Sequence, residues 1–457
     1  MKSFSSYDVL PLIHPESFLS PSAIDDTEAL QQAIDTAADT GAIVQLAERI
    51  YTISSTLTLY SATIIQGTIP GYQNAADTYF TGSMIKYTAS TGVAMRFLCQ
   101  SNAGDTAIKN NAFRFRLSNF FLKCVSSSNT DIGLLFETND DSTAPRHGLV
   151  ESVKLSGFHT NIRIKAISYV TFRNIVVNDF ISVGIHIAKA SSNQIIEFAY
   201  FDKVNMNTSK RLGTRGIFIE SGNNLYFDGI DINDCEKGIA FELALDTFNH
   251  FLNNINLSRC IKCLFFCSTG NFYMTRLSIS NVSFSYPVWN GFSTQVDKYA
   301  GIWFEQLAQT STGIGTVCDS IFSRIFDDQG RGSDFQFFLY VQRTSESRSD
   351  VITRCTFKDM RVLNPVSYNR APRTFGMLNA IPSGTLTLPA NQTSATSDII
   401  DRHIFPASLL PPVLISPSVS GVSASVVHVG TNTSVKVQVT SPSSSPRSFD
   451  FFIPLLY

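Results

Sequence analysis

One short pattern of apolar and polar residues recurs six times between Gly148 and Ser283. Each copy has an apolar residue, two mostly polar positions, a second apolar residue, any residue, a third apolar residue, and then Asn or Ser. The second apolar residue sets the register of each copy and is Val153, Ile175, Val204, Ile230, Ile255 and Leu277. Successive copies begin 22 to 29 residues apart, a period typical of stacked structural repeats.

A second alternating segment follows inside nearly every copy. Its apolar pairs are Ile162 and Ile164, Ile185 and Ile187, Ile217 and Ile219, Ile239 and Phe241, and Leu264 and Phe266. Alternation with a period of two predicts strands. Several short strands per copy, with Asn, Ser and Gly at the corners, indicate a parallel β-solenoid whose like residues stack in columns. A leucine-rich repeat shares the period but does not call for this second strand, so we rank it second.

Different patterns flank the repeats. The segment from Asp25 to Gly41 predicts an amphipathic helix, with Asp25 or Asp26 as N-cap and Glu28 at the capping-box position. Alternating strands begin directly behind it, so we expect the helix to cap the open end of the solenoid. Residues 1–20 contain Pro11 and Pro15, are followed by Pro21, and are expected to be irregular.

The amino-acid composition of the chain changes near Pro365, where Pro, Ser and Thr become frequent. The separate alternating segments TLTL, VLIS, VSASVVHV, SVKVQVT and FDFFIP predict an antiparallel β-sandwich over residues 366–457. The sequence therefore predicts an all-β chain with three parts: residues 1–20, a capping helix plus parallel β-helix over 21–365, and the sandwich.

Composition narrows the classes of partner. The 35 basic and 37 acidic residues are nearly balanced, which argues against a nucleic-acid partner. The N-terminus lacks the apolar core of a secretion signal, and no apolar run approaches membrane length, so we expect no membrane partner. Only 16% of residues are charged, whereas 36 are Phe and 15 are Tyr. This aromatic load favours burial in stacks and in contacts between subunits.

The eight cysteines do not predict a disulfide framework. Cys235 and Cys260 fall in the same column of the repeat and are expected to be stacked free thiols in a reducing cytosol. Cys260, Cys263 and Cys267 suggest a metal site, but strand alternation would spread their thiols over different faces. We therefore expect structural packing, with no metal and no cofactor.

Residues 25–67, which join DDTEALQQAID to GAIVQLAERIYTISSTLTL and IIQG, resemble the opening of bacteriophage tailspikes of the pectate-lyase-like parallel β-helix superfamily. The resemblance implies a right-handed β-helix and a homotrimer that binds, and often cleaves, a bacterial surface polysaccharide. It also implies that residues 1–20 dock onto another phage tail protein. Residues 403–421 are similar to H-type lectin domains, so the sandwich is expected to trimerise the chain or to bind carbohydrate.

Candidate chemistry comes from residues that should point outward on the second strand of each copy. Glu220 and Glu242 are expected on adjacent coils, and two close carboxylates suit glycosidic hydrolysis. Their like charges should raise the pKa of one of them, so that it keeps a proton for the leaving oxygen. The residues expected to bind sugar beside them are Phe218, Phe265, Trp303, His186, Arg163 and Glu305.

Two alternatives for these residues stay open. The same face can be buried along a trimer axis, with the Glu pair bonded to a neighbour's Arg or Lys. A rival carboxylate pair, Asp202 and Asp228, lies two positions before the register residue, at an exposed bend. These aspartates can also be solvated corner charges, and isolated His147 and His186 fit structural hydrogen bonds as well as catalysis.

The sequence therefore predicts a phage tailspike that depolymerises capsule or O-antigen by hydrolysis. It would be assembled in the host cytoplasm and carried on the virion tail. The alternatives are a non-catalytic adhesin or tail fibre on the same fold, and a polysaccharide lyase. A cellular pectin-degrading enzyme ranks lower, because it would normally carry a secretion signal.

Overall fold

The computed structural model describes residues 10–60, 63–69, 81–99, 115–125, 130–138, 144–189, 195–268, 272–285, 300–306, 317–327, 337–343, 352–353, 355–358, 383–396, 414–416, 422–429 and 432–452. Within them it has one α-helix, α1 (Thr27–Thr40), and a 3-10 helix (Pro15–Phe18). The remaining regular structure is β, and 26 of its strands form a single parallel sheet that coils into a right-handed β-helix. The parallel β-solenoid predicted from the repeats is confirmed, and the leucine-rich alternative is wrong.

The strands of the first coils are short. They are β1 (Leu12–Ile13), β2 (Ile43–Gln45), β3 (Ile50–Ile53), β4 (Leu57–Leu59), β5 (Ile64–Gln66), β6 (Met84–Tyr87), β7 (Val93–Cys99), β8 (Arg116–Ser118), β9 (Phe121–Cys124), β10 (Ile132–Thr138), β11 (Leu149–Glu151), β12 (Lys154–Ser156) and β13 (Thr160–Ile164).

The strands that follow are β14 (Ile167–Asn178), β15 (Val183–Ile187), β16 (Ile196–Ile219), β17 (Asn223–Leu243), β18 (Thr247–Ser258), β19 (Lys262–Ser268), β20 (Met274–Ser285), β21 (Ala300–Gln306), β22 (Val317–Cys318), β23 (Ile321–Asp327), β24 (Phe337–Arg343), β25 (Ile352–Thr353) and β26 (Thr356–Lys358). Among them, β14, β16, β17, β18 and β20 are longer and run around a corner of the coil.

The coils present three faces. Face A contains β2, β5, β8 and β11, followed by residues 171–173, 200–202, 226–228, 251–253 and 278–280. Face B contains β3, β6, β9 and β12, followed by residues 176–178, 205–207, 231–233 and 256–258. Face C contains β4, β7, β10, β13 and β15, then residues 215–219 and 237–243, then β19, β21 and β24.

The corner between faces A and B is made by one residue per coil in the left-handed conformation. Its φ angles lie between 50° and 70° at Asn119, Ser152, Asn174, Lys203, Gly229, Asn254, Asn281 and Arg324. Asn and Gly tolerate this conformation best, and a larger side chain there carries a conformational cost. This requirement explains the polar position directly before each register residue.

Inward-facing side chains stack from coil to coil. Phe172, Phe201 and Phe227 form a ladder with ring centroids 4.8 Å apart, and Phe241, Phe266 and Phe304 form another. Where face C begins, the backbone of the next coil comes so close that a Cβ added to Gly216 would meet the Gly238 oxygen at 2.7 Å. The glycine in the repeated segment Gly-Ile is therefore needed for close packing of the coils.

The sixth repeat does not have the register predicted for it. Ile255 pairs with Val282, and Leu277 pairs instead with His250 in an earlier column. Both Leu277 and Val282 are apolar and both follow a left-handed residue, Arg276 or Asn281. The template therefore matches two successive corners of the same coil, and the pattern alone does not distinguish them.

The N-terminal cap differs in detail from the prediction. Helix α1 ends at left-handed Gly41 as expected, and Asp25 accepts a bond from the Thr27 N–H at the start of the helix at 2.9 Å. The carboxylate of Asp26 bonds instead to the Thr52 N–H and to Arg49. Glu28 accepts from Gln32 one turn later, so the predicted capping box is absent. The tertiary ion pair and strand contact outcompete the local bonds.

The segment predicted to be irregular is partly ordered onto the first coil. Strand β1 pairs in parallel with β2, Pro15 is buried, and the Tyr51 hydroxyl donates to Glu16. The described residues 10–20 therefore pack against the end of the β-helix.

The C-terminal part is antiparallel, as predicted. Strands β27 (Ser383–Leu388), β32 (Arg447–Phe452) and β29 (Leu414–Ser416) form one sheet; β28 (Ser394–Thr396), β31 (Asn432–Val439) and β30 (Val422–Val429) form the second. Most of the lectin-like segment 403–421 lies outside the described residues. In the part of the chain that the structure describes, no helix is long and apolar enough to cross a membrane.

His250 is a polar exception in the core and generates a stability prediction. It is fully buried, neither ring nitrogen has a hydrogen-bond partner within the described structure, and burial lowers its pKa to about 3. We expect His250→Leu to raise the free energy of unfolding by about 1–3 kcal/mol at neutral pH, because it removes an unsatisfied buried polar group.

The pH dependence has a definite sign. In wild type the unfolded chain protonates His250 near pH 6.5, whereas the folded chain does so only near its pKa of about 3. Stability contributed by this site therefore falls as pH drops below 6.5, by about 1.4 kcal/mol per pH unit. Melting temperatures measured by circular dichroism at several pH values should show the gap between variant and wild type widening in acid. A gap that stays constant would contradict the assignment.

Candidate functional site

The predicted columns on face C are present. The central column consists of outward-facing residues on successive coils, each paired with the next: Arg163, His186, Phe218, Ala240, Phe265 and Trp303. Beside it lies an acidic column of Glu220, Glu242, Cys267 and Glu305. On the other side lies a basic column of Arg215, Lys237 and Lys262, which the sequence analysis missed.

Glu242 is neutralised by the basic column of its own chain. Arg215 donates from Nε and Nη2 to the two carboxylate oxygens at 2.8 and 3.0 Å, and Lys237 Nζ donates at 2.7 Å. Burial acts to raise the pKa of Glu242, but the bonds and charges of Arg215 and Lys237 outweigh it, and the pKa lies below its usual range. Glu242 is therefore fixed in its ionised form at neutral pH.

Glu220 is held in a similar way. One carboxylate oxygen is 2.8 Å from His186 Nε2 and accepts the Lys189 N–H at 2.9 Å. Against the effect of burial, these bonds and the charges of His186 and Arg163 lower the pKa of Glu220. The expectation that like charge raises the pKa of one of the two glutamates is therefore wrong. The cations of the same chain dominate over the repulsion between carboxylates.

The aromatic side chains of face C are not exposed. Phe265 is 2% and Trp303 is 5% exposed, and together with Ala240, Cys267 and Ala300 they form a small apolar cluster outside the main core. Basic side chains lie over their rings, with Lys237 Nζ 4.0 Å from the Phe265 centroid. Within this chain, their rings are therefore not available as open platforms for a sugar. Glu305 accepts from the indole Nε1 of Trp303.

Face A carries the rival carboxylate pair on an open surface. Asp202 pairs in register with Asp228, and the column directly before them contains Tyr200, Tyr226 and Phe251. Tyr200 is 38% exposed and Phe251 is 42% exposed. The aspartates and aromatic rings alternate along the same outward side of the strands, because side chains two apart share a face.

The rings on face A stack on each other. Tyr200 and Tyr226 have centroids 4.6 Å apart and planes 9° apart, and Tyr226 and Phe251 have centroids 4.9 Å apart and planes 3° apart. Stacked rings cover each other's faces and present their edges outward. Two of these edges belong to tyrosines, whose hydroxyls can donate to and accept from sugar hydroxyls.

The contacts of the two aspartates are less restrictive than those of the glutamates. Asp202 bonds to Arg173 Nε at 3.0 Å in an exposed pair. Asp228 accepts from the side-chain amides of Asn253 and Asn254 at 3.0 and 2.8 Å, and it has no ion pair within the described structure. Asn253 follows Asp228 in the column, so the row continues as an amide.

The sequence analysis missed the basic column of face C and the aromatic column of face A, and both columns have a signal in the sequence. Each basic residue stands two positions before the first inward residue of the second strand, as in Arg215-Gly-Ile217 and Lys237-Gly-Ile239. Each outward-facing aromatic residue of face A stands directly before an inward apolar residue, as in Tyr200-Phe201 and Tyr226-Phe227. Arg163 and His186 hold the predicted register positions. Among the described residues, no group of three or more His, Cys, Asp or Glu side chains is arranged to hold a metal.

Part of the chain matches the sequence model of a known protein family. Residues 22–240 match the family model for rhamnogalacturonase A/epimerase, pectate lyase-like proteins. This match covers just under half of the chain and includes residues 25–67. No curated protein matches the chain in a sequence comparison.

Several solved structures are similar in topology. A tailspike of Acinetobacter baumannii bacteriophage Fri1, described as a capsular polysaccharide depolymerase, is 12% identical, with 97% of this chain and 86% of that chain covered and a TM-score of 0.42. The tailspike of Acinetobacter phage vB_ApiP_P1 is 10% identical, with 96% and 86% covered and a TM-score of 0.46. A mutant tailspike of Escherichia coli bacteriophage HK620 in complex with a pentasaccharide is 11% identical, with 98% and 91% covered and a TM-score of 0.43. At TM-scores below 0.5, these likenesses do not bear on what this chain does.

The network around Glu242 predicts a structural role for its carboxylate. We expect Glu242→Gln to lower the free energy of unfolding by about 2 kcal/mol, because it leaves Arg215 and Lys237 half-buried without their anion. Since the folded-state pKa is lowered, this contribution is full above the ordinary pKa of 4.5 and is lost in more acidic solution.

Melting curves at neutral pH check this expectation. Glu28→Gln is the matched control, because Glu28 is exposed on α1 and accepts one bond from Gln32. Equal melting temperatures for Glu242→Gln and Glu28→Gln would show that the ion network does not stabilise face C.

Proposed function

We propose that this protein is a phage tailspike that binds a bacterial surface polysaccharide and depolymerises it by hydrolysis at Asp202 and Asp228. The superfamily match supports an action on sugar polymers, since the matching model is named for enzymes of that kind. The resemblance of residues 25–67 supports the tailspike. The observation that carries the site is the in-register row of Asp202 and Asp228 beside exposed Tyr200 and half-buried Tyr226.

The geometry fits two-carboxylate hydrolysis. Adjacent coils place the backbones of Asp202 and Asp228 about 4.8 Å apart, so side-chain rotation can reach the separation of about 5 to 5.5 Å used by retaining glycosidases. One carboxyl group donates its proton to the oxygen of the leaving sugar. The other carboxylate attacks the anomeric carbon, and water then releases the covalent sugar in a second step.

Neighbouring side chains suit the binding of an extended glycan along the helix axis. The Tyr200 and Tyr226 hydroxyls repeat once per coil, and the amides of Asn253 and Asn254 extend the polar row. Neutral donors and acceptors of this kind pair with sugar hydroxyls without the desolvation cost of a buried ion.

The glutamates of face C are a weaker choice for the chemistry. Hydrolysis needs one carboxyl group that holds a proton near neutral pH. Glu220 and Glu242 both have lowered pKa values and are bonded to His186, Arg215 and Lys237. We assign them to holding face C together.

Two isosteric substitutions test the site. Asp202→Asn and Asp228→Asn remove the charge with little change in size, and each should lower turnover about a hundredfold or more, in line with general acid–base contributions. Reducing ends released from purified capsular and O-antigen polysaccharides give the rate. Asp231→Asn is the control, because Asp231 is in the same coil but on face B, bonded to Asn205 and Asn256.

The opposite result in this activity assay would contradict the assignment of the catalytic site to face A. Full activity in both aspartate variants, together with loss in Glu220→Gln at unchanged melting temperature, would assign the chemistry to face C. Binding of a glycan without release of reducing ends or of an unsaturated uronate would favour the non-catalytic adhesin. The non-catalytic adhesin is the second candidate function. It is favoured by the lowered pKa values of Glu220 and Glu242, because neither holds a proton for a leaving sugar near neutral pH. Release of an unsaturated product would instead indicate a lyase.

We also propose that the protein is a homotrimer on the virion tail. Tyr169, Phe248 and Phe251 are exposed aromatic side chains, and the chain has a high aromatic content overall. Both features support the association of several copies of the chain. Sedimentation equilibrium at micromolar concentration should give three times the chain mass of 50.4 kDa. A stable monomer in that experiment would contradict the trimer.

A further inference from the structure

Two strands of the first coil pair with a neighbour on one edge. Within the described residues, β3 pairs with β6 alone and β4 pairs with β7 alone. The opposite edge of each strand carries backbone N–H and C=O groups that, further along the β-helix, bond to the preceding coil. Such an edge is a template for pairing with another chain unless the protein closes it.

The side chain of Gln31 closes the edge of β4. Its amide oxygen accepts the Thr58 N–H at 2.8 Å, and its amide nitrogen donates to the Thr58 C=O at 3.0 Å. One side-chain amide thus satisfies both backbone groups of Thr58, as the backbone of an adjacent strand would. Gln31 Nε2 also donates to Asp35 at 2.8 Å, so the amide is held in this orientation.

The first residues of α1 close the edge of β3 in the same way. The Asp26 N–H donates to the Thr52 C=O at 2.7 Å, and the Asp26 carboxylate accepts the Thr52 N–H at 2.7 Å. The Thr27 hydroxyl oxygen accepts the Ser54 N–H at 3.0 Å. Gln31 follows five residues after Asp26, about 7.5 Å along the helix axis. The start of α1 therefore crosses the corner between faces B and C and covers both strand edges with polar groups.

The polarity of residue 31 is not needed to form the helix. Gln and Leu have similar helix propensities, and the apolar side of α1 is already supplied by buried Ala29, Leu30, Ala33 and Ile34. The residue that gains from the Gln31 amide is Thr58, 27 positions away on the strand edge. A polar amide at position 31 is therefore explained by the edge of β4.

We propose that Gln31 acts as a substitute strand that prevents the first coil from pairing with a second copy of this chain. The excluded partner is the same edge of another copy, because a twofold axis would set β4 antiparallel to β4 and pair the backbone groups of Thr58 across the contact. This inference does not rest on the proposed hydrolysis, whose residues Asp202 and Asp228 lie in later coils.

The variant Gln31→Leu tests the proposal in the full chain. It keeps the helix propensity of the residue and removes both bonds to Thr58. We expect the mass measured by sedimentation equilibrium to rise with concentration towards twice the wild-type mass, whatever number of copies the wild type contains. In hydrogen-exchange measurements at low concentration, the Thr58 N–H should exchange about tenfold faster than in wild type, because it has lost a hydrogen bond. Its protection should return as the copies associate.

Two further variants isolate the edge as the cause. Gln32→Leu is the matched control, because Gln32 is exposed on the same helix and its side chain bonds to Glu28. Its mass should equal that of wild type, which separates edge pairing from the effect of an added surface leucine. Adding Thr58→Lys to Gln31→Leu should restore the wild-type mass, because a lysine on a strand edge opposes pairing with another chain.

Three results would overturn the proposal. The first is a wild-type mass for Gln31→Leu at every concentration. The second is equal association of Gln32→Leu, which would assign the effect to added apolar surface. The third is a lower melting temperature of Gln31→Leu without any change in mass, which would leave Gln31 as a stabilising contact alone. Gln31→Met, which has a similar length and helix propensity, takes the place of Gln31→Leu if circular dichroism shows that the leucine variant does not fold.

Discussion

Coil-to-coil backbone pairing in one register is the constraint on which every other feature of this protein depends. A single left-handed residue at each A–B corner, from Asn119 to Arg324, lets the chain turn at the same point of every coil. Parallel pairing then repeats at about 4.8 Å, and like side chains stand above one another inside and outside. A shift of one residue would move the whole apolar set of a strand to the solvent side.

Stacking in register turns each outward position into a column, and the chemistry of a face follows from which columns are neighbours. On face C a basic column lies beside aromatic rings, and an acidic column lies five residues further along each strand. Arg215, Lys237 and Glu242 therefore close on each other and cover Phe265. On face A the aromatic column neighbours Asp202 and Asp228, and the side chains there remain open. The same architecture thus yields one sealed face and one exposed face.

Paired carboxylates on adjacent coils are therefore not sufficient evidence for catalysis. Glu220 is hydrogen-bonded to His186, and Glu242 is hydrogen-bonded to Arg215 and Lys237, so these partners outweigh burial and any repulsion between the two carboxylates. Their pKa values fall in consequence. Charge balance within a face, counted with all of its columns, decides which carboxylates remain free to exchange a proton.

The sequence by itself determined the β-helix, the helix cap at its end, the antiparallel strands near the C-terminus and the outward register of face C. These follow from local periodicity, because apolar side chains at a period of two and a fixed corner can be buried in only one way. Periodicity did not determine the register of the sixth coil, where Leu277 and Val282 both satisfy the template. Only the tertiary structure decided which charges are paired and which rings are covered. Glu242 and Asp26 lie 27 and 23 residues away from their partners Arg215 and Arg49. These contacts depend on side-chain geometry between coils, which a one-dimensional pattern does not contain.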